Sequence, residues 1–171
     1  FGNLDLGRNK ALKTISEFLN NKFSRVDIDI FSSQEKYANK IKNKNVKYKG
    51  FALSQDLTEI IKQYDAVICC ESIRKRNVAK TRFSISTKVS LLLSSSKPII
   101  CFGSTDSESI RYLVDNKVCF YINSYKNSEE FFSDFNETKS KEIISNSFQL
   151  FEKNHSLEKS QKNFGKFIEE L

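Results

Sequence analysis

Apolar positions along the chain switch between two spacings. Leu12, Ile15, Phe18 and Leu19 recur at helical spacing after Gly7 and Arg8 and predict an amphipathic helix. Val26, Ile28 and Ile30 then alternate with Asp27 and Asp29, the period of a strand near a sheet edge with one wet face. A charged helix is expected from Ser33 to about Ile41, then a short strand from Val46 to Lys49 that ends at Gly50. Leu57, Ile60, Ile61 and Tyr64 mark the next helix, with Ser54 or Asp56 in capping position. Asp65 to Cys70 is an apolar run of the kind a parallel strand covered on both faces carries. A polar, basic loop is expected from Glu71 to about Ile85, and Val89, Leu92 and Leu93 predict a helix that Ser86 and Thr87 can cap. Pro98 to Phe102 reads as a buried strand ended by Gly103. Ile110, Leu113 and Val114 predict a helix, and Val118 to Ile122 the last strand. From Asn127 onward the pattern is helical only: Phe131, Phe132 and Phe135, then Ile143, Ile144, Phe148 and Phe151, then Phe164, Phe167, Ile168 and Leu171.

Phe1 to Leu4 reads as the end of a further strand running into a turn. Strands and helices in alternation then define an α/β domain: a doubly wound, Rossmann-like parallel sheet of about six strands with right-handed crossovers, followed by a helical tail over 127–171. Such sheets take their ligands at the C-terminal ends of the strands, so the loops after Asn3, Gly50, Cys70 and Phe102 are the places to look.

Length changes this picture little, since 171 residues suit one domain with a real core. The strand-like opening and the lack of any Met lead us to expect the C-terminal part of a longer protein. Charge is more informative. The formal net charge is +7, but 22 Lys stand against 6 Arg, and Arg is the residue that grips phosphates and guanine edges in two-pronged fashion. Nucleic acid is therefore not expected as a partner. Residues 1–126 hold the basic excess and 127–171 are acidic. Lys36 to Lys49 carries six Lys and no acid, and reads as a solvated surface. Cys69, Cys70, Cys101 and Cys119 fall in apolar runs without ligand-like spacing, and His155 is the only His. Free thiols are expected, and no metal.

Three helix N-termini carry candidate chemistry. Gly2-Asn3-Leu4-Asp5-Leu6-Gly7-Arg8 is a turn with a cation in the first helical turn, where acids are the usual occupants; a phosphate in the turn would account for it. It lacks the dinucleotide and P-loop glycine patterns. Glu71 to Lys88 contributes five net positive charges beside a buried strand, ending in Ser86-Thr87-Lys88 at a second helix start. Gly103-Ser104-Thr105-Asp106-Ser107-Glu108 offers hydroxyls and carboxylates at a third. Together they suit a phosphorylated ligand bearing a sugar.

In this order the motifs resemble the C-terminal, nucleotide-binding half of a bacterial GT-B fold glycosyltransferase. Gly2-Asn3-Leu4-x-x-Gly7-Arg8-x-x-x-Leu12 is similar to that family's diphosphate turn, with Arg8 at the second basic position and Asn3 at the first. Tyr48-x-Gly50-Phe51, Leu57 and Tyr64-Asp65-Ala66 resemble the run that lines the nucleobase. Phe83 to Lys88, continuing to Lys97-Pro98-Ile99-Ile100, is similar to the segment before the lysine-proline strand, with Ser96 in place of a glycine. Many retaining members carry two glutamates where this chain has Leu91 and Phe83, so the donor and stereochemical class stay open, with Glu71 or Glu108 as substitute ribose contacts.

The resemblance implies a donor-binding domain that transfers sugar from a nucleotide-sugar in glycan or cell-surface polysaccharide synthesis. Arg8 and Lys88 would neutralise the leaving diphosphate, with Gly2, Asn3, Gly50, Phe51, Glu71, Ser86, Thr87, Ser104, Ser107 and Glu108 lining the donor. It implies no cofactor or metal, and an N-terminal domain of the same protein as partner. The expected location is cytoplasmic, with peripheral association at the inner face of the membrane as an option. Two alternatives stay open: a non-catalytic α/β module that binds a partner or anionic polymer, and a nucleotide-sugar epimerase of the same architecture.

Overall fold

The computed structural model describes residues 1–23, 26–41, 43–122, 131 and 133–169. Lys42, Phe132, Leu171 and residues 127–130 lie outside the described residues, as do the side chains of Phe164 and Phe167.

Helix α1 (Arg8–Lys22) buries Ala11, Leu12, Ile15, Phe18 and Leu19, the face its spacing predicts. Strand β1 (Ile28–Ile30) follows, then α2 (Glu35–Ala38), β2 (Val46–Tyr48) and α3 (Ser54–Lys62). Next come β3 (Val67–Cys70), α4 (Lys75–Thr81), α5 (Lys88–Ser94) and β4 (Ile99–Phe102). The chain continues through α6 (Glu108–Asp115), β5 (Phe120–Ile122), α7 (Glu137–Asn154) and α8 (Leu157–Glu169).

Every strand pairing is parallel, as the α/β reading requires, but one sheet of about six strands is not what forms. Among the described residues there are five strands in two sheets, β1-β2 and β3-β4-β5. Phe1 to Leu4 is not a strand. It makes a single ladder-like bond, from Gly2 N–H to the Phe31 carbonyl at 2.8 Å. Two further expectations need correction. The charged helix at 33–41 shortens to one turn, because Ala38 and Ile41 are its buried anchors and the chain must turn at once to feed β2. The basic loop after β3 contains α4, whose Val78 and Thr81 sit three apart and bury one side. Its charges conceal that stripe.

The core lies on both faces of β3-β4-β5. Strand β4 is buried throughout, and its alternate residues divide the apolar interior. Ile100 and Phe102 pack with Leu12, Ile15 and Phe18 of α1 and with Phe120 and Ile122. Ile99 and Cys101 pack on the opposite face with Val89 and Leu93 of α5 and Ile110 and Leu113 of α6. Each such aliphatic side chain contributes about 1.5–3 kcal/mol relative to exposure. The tail docks α7 on the second face through Leu150, and Ser147 Oγ donates to the Val118 carbonyl at 3.3 Å. Asn136 caps α7 by accepting from Lys139 N–H at 2.9 Å. All four cysteines are free thiols, and burial comes first in pushing Cys70 up to about 12.

Candidate functional site

Three segments meet past the ends of β1 and β3: the Gly2–Arg8 turn, Glu71–Asn77, and Ser86–Lys88. The turn is fastened first. Gln34 Oε1 accepts from the N–H groups of Leu4 at 2.6 Å and Asp5 at 3.1 Å. Leu6 and Gly7 both take positive φ, 49° and 84°, which lets the chain reverse into α1. A Cβ on Gly7 would lie 2.5 Å from Asn77 Nδ2 and 2.8 Å from Ser72 Oγ, so the turn rests directly on that loop. Ser72 Oγ in turn accepts from Asn77 Nδ2 and from Arg74 N–H, each at 3.2 Å.

Arg8 leaves the first turn of α1 and is largely buried. Its Nε and Nη2 both donate to Glu71 Oε1 at 3.0 Å, and Nη1 to Asp5 Oδ1 at 3.1 Å. Burial works against the guanidinium charge, but Glu71, by charge and hydrogen bond, and then Asp5 outweigh it and raise the pKa. Glu71 is only 4% exposed. The expected phosphate-binding arginine is thus already held by two carboxylates.

Lys88 is different. It opens α5, and its side chain crosses Gly2 so closely that a Cβ there would lie 1.8 Å from Nζ. Only glycine leaves room for that crossing. Among the described residues, Lys88 Nζ makes no hydrogen bond or ion pair. Burial lowers its pKa first, and the Arg8 charge second; Glu71 and the thiols of Cys69 and Cys70 offset this only in part. A half-buried ammonium without an acceptor, facing a second cation, is a place where an anion gains free energy.

The remaining predicted residues divide. Asn3, Arg8, Glu71, Ser86 and Lys88 border one cavity of about 650 Å³, and Gly2 joins them under Lys88. Ser86 ties its loop to α6, donating its N–H to Ser109 Oγ at 2.8 Å while its Oγ accepts from Lys88 N–H at 3.4 Å. Thr87 precedes α5, exposed and without a capping bond. Gly103, at φ 149°, brings the next loop onto Glu71, whose carbonyl oxygen would be 2.9 Å from a Cβ. Ser104 Oγ accepts from Asp106 N–H, Glu108 pairs with Arg111, and Ser107 is fully buried, its Oγ lacking a partner among the described residues. Gly50 and Phe51 lie beyond β2, where Gly50 accepts from Ser32 N–H at 2.7 Å and Phe51 is 66% exposed. None of these last residues, from Thr87 onward, borders the cavity.

Sequence reasoning missed Gln34, Ser72 and Asn77. Nothing in their spacing marks them, since they act on a turn about thirty to seventy positions away. Asp5 was legible, three residues before Arg8 and on the same side of the turn. The chemistry available is binding of an anion. Cys70 stays protonated, so it offers no thiolate, and His155 is bonded to Tyr112 on the α6–α7 side. No cluster of metal-holding side chains occurs among the described residues, and no described helix is long and apolar enough to cross a membrane.

Parallel strands joined through helices, with cations gathered past the ends of β1 and β3, make this an α/β domain. The family described as glucosyltransferase 3-like, C-terminal domain, matches residues 10–157. The chain belongs to that family, and so is a glycosyltransferase C-terminal domain. The match takes in Glu71, Ser86 and Lys88, while the Gly2–Arg8 turn precedes it. No curated protein and no solved structure matches the chain.

Proposed function

We propose that this domain binds the diphosphate of a nucleotide-sugar donor, as the C-terminal half of a GT-B glycosyltransferase acting in glycan synthesis. The observation that carries the reading is the unpaired ammonium of Lys88 over Gly2, beside Arg8. A diphosphate there satisfies Lys88 and meets the N-terminus of α1, while Arg8, held by Glu71 and Asp5, keeps the local potential positive. In transfer, charge grows on the leaving diphosphate, and a fixed ammonium facing it lowers the barrier without reorganising. Where the donor extends beyond the cavity, Gly50 and Phe51 would meet the base and Ser104 the sugar side; the fully buried Ser107 makes no contact with it. Glu71 and Glu108 are both engaged by arginines, which argues against either as a free ribose contact. The acceptor and general base belong to an N-terminal domain of the same protein, in the cytoplasm or at the inner membrane face.

Calorimetry with UDP, GDP, TDP and CMP tests this. A nucleoside diphosphate binds, and Lys88→Ala weakens it about tenfold or more, the effect of one charge-assisted contact of about 1.5–3 kcal/mol. Equal binding by the variant, or no nucleotide bound at all, refutes the assignment. The exposed cations of α4 and its flanks, Arg74, Lys75, Arg76, Lys80 and Arg82, favour a second reading, binding of an anionic polymer. That would be strongly salt-dependent and indifferent to the base.

A further inference from the structure

Glu71 borders the cavity at the end where Arg8 and Lys88 meet, and only half of its carboxylate is in use. Its Oε1 accepts from Arg8 Nε and Nη2, each at 3.0 Å. Oε2 makes no hydrogen bond or ion pair among the described residues. Nor is it sealed away, since Ser107 Oγ alone among them is both fully buried and unpartnered. We infer, resting on the donor reading, that Glu71 is a specificity-determining residue. Its free oxygen turns away a fully ionised outer phosphate, so the site holds a nucleotide-sugar in preference to the nucleoside diphosphate that transfer leaves behind.

Position singles Glu71 out first. It follows β3 directly, and its N–H donates to the Phe102 carbonyl at 2.8 Å, which fixes it at the strand end. The Gly103 loop closes on it: a Cβ on Gly103 would lie 2.9 Å from the Glu71 carbonyl oxygen and 3.2 Å from its Cβ. Glu71 therefore touches both the Arg8 guanidinium and the loop that leads to Ser104, on the sugar side. The phosphate that carries the sugar is the one that meets it.

Charge singles it out again. The charged side chains at this end are Arg8 of α1, Lys88 of α5, Glu71, and Asp5 of the turn, two cations against two carboxylates. The other titratable neighbours are the thiols of Cys69 and Cys70, the second kept protonated by burial. Such a balance leaves no surplus for an additional negative charge. In a nucleotide-sugar each phosphate is doubly substituted and carries one charge. Loss of the sugar turns the outer phosphate into a terminal one, whose second proton leaves near pH 6, by the measure of ordinary phosphate esters. Above that pH the product bears one charge more than the donor, on the phosphate nearest Oε2. An ionised carboxylate only accepts hydrogen bonds, so the two anions meet there with no proton to share. Partial burial strengthens their repulsion. Below that pH the outer phosphate keeps its O–H and donates it to Oε2. The donor has neither the extra charge nor the extra proton.

The test is calorimetric titration with UDP, UDP-glucose, GDP and GDP-glucose from pH 5.5 to pH 8, in buffer free of divalent cations. Pairing ligands of one base cancels the base and the titration of Lys88, because the same ammonium meets both members. The affinity for the sugar-bearing ligand, relative to its diphosphate, should rise about tenfold from pH 5.5 to pH 8. Glu71→Gln keeps an oxygen for Arg8 and should cut that rise to about twofold or less, chiefly by tightening diphosphate binding at pH 8. A Glu71 that served structure alone would instead weaken both ligands alike at every pH. A ratio that stays flat in the unaltered protein overturns the inference, whether or not the variant folds. So does an undiminished rise in the variant. In either case the donor reading stands, whereas binding of no nucleotide at any pH removes both.

Discussion

Arg8 meets its counter-charges before any ligand arrives, and Lys88 does not. That difference arises from one contact far along the chain, since Glu71 is 63 positions from Arg8. Both cations are legible in the sequence as residues at helix starts, but the partner of one is fixed only by where β3 ends. Glycines divide in the same way. Gly103 combines φ of 149° with a neighbouring backbone oxygen that a Cβ would approach to 2.9 Å. Gly50 has φ of 86° but nothing within 4 Å. Gly103→Ala should therefore cost about 2–3 kcal/mol and Gly50→Ala about 1 kcal/mol. Urea unfolding checks this: both midpoints fall at unchanged slope, the first by more. Equal losses would mean that backbone conformation alone governs both sites.

Elements were legible where burial follows one period. Helix α1, β4 and α6 fall where their apolar spacing puts them, because one face of each is core. Helix α4 was not, because its only buried stripe is Val78 and Thr81 among cations. At the end of α7, His155 Nε2 lies 3.0 Å from Tyr112 Oη of α6, and Asn154 Nδ2 donates to the same oxygen at 3.0 Å. Burial lowers the His155 pKa below its ordinary value. The folded form then binds its proton less readily than the unfolded form. The contribution is full above about pH 6.5 and is lost as pH falls through the lowered value. Thermal midpoints should fall between about pH 7.5 and pH 5.5, and His155→Gln should flatten that fall. An identical slope in the variant would assign the dependence to other groups.

At the scale of the whole molecule, the parallel α/β class was legible and the strand count was not. Alternation shows that strands exist, whereas pairing joins β3 to β4 with a register of Val67 to Ile99 that no local pattern specifies. The division into two ladders also bears on how the molecule comes apart. Hydrogen-bonded sheets unfold as units because each ladder lends cooperativity to the next, and none crosses between β1 and β3 among the described residues. A two-stranded sheet is marginal by itself and depends on what packs over it, here mainly α1. Exchange measured across a urea series should therefore resolve two isotherms, with Ile28 and Lys49 opening at lower free energy than Ile100 and Cys101. A single shared isotherm would show that side-chain packing alone makes the molecule one cooperative body. If two appear, the domain breathes along its middle, and its most easily opened seam runs beside the pocket that holds Lys88.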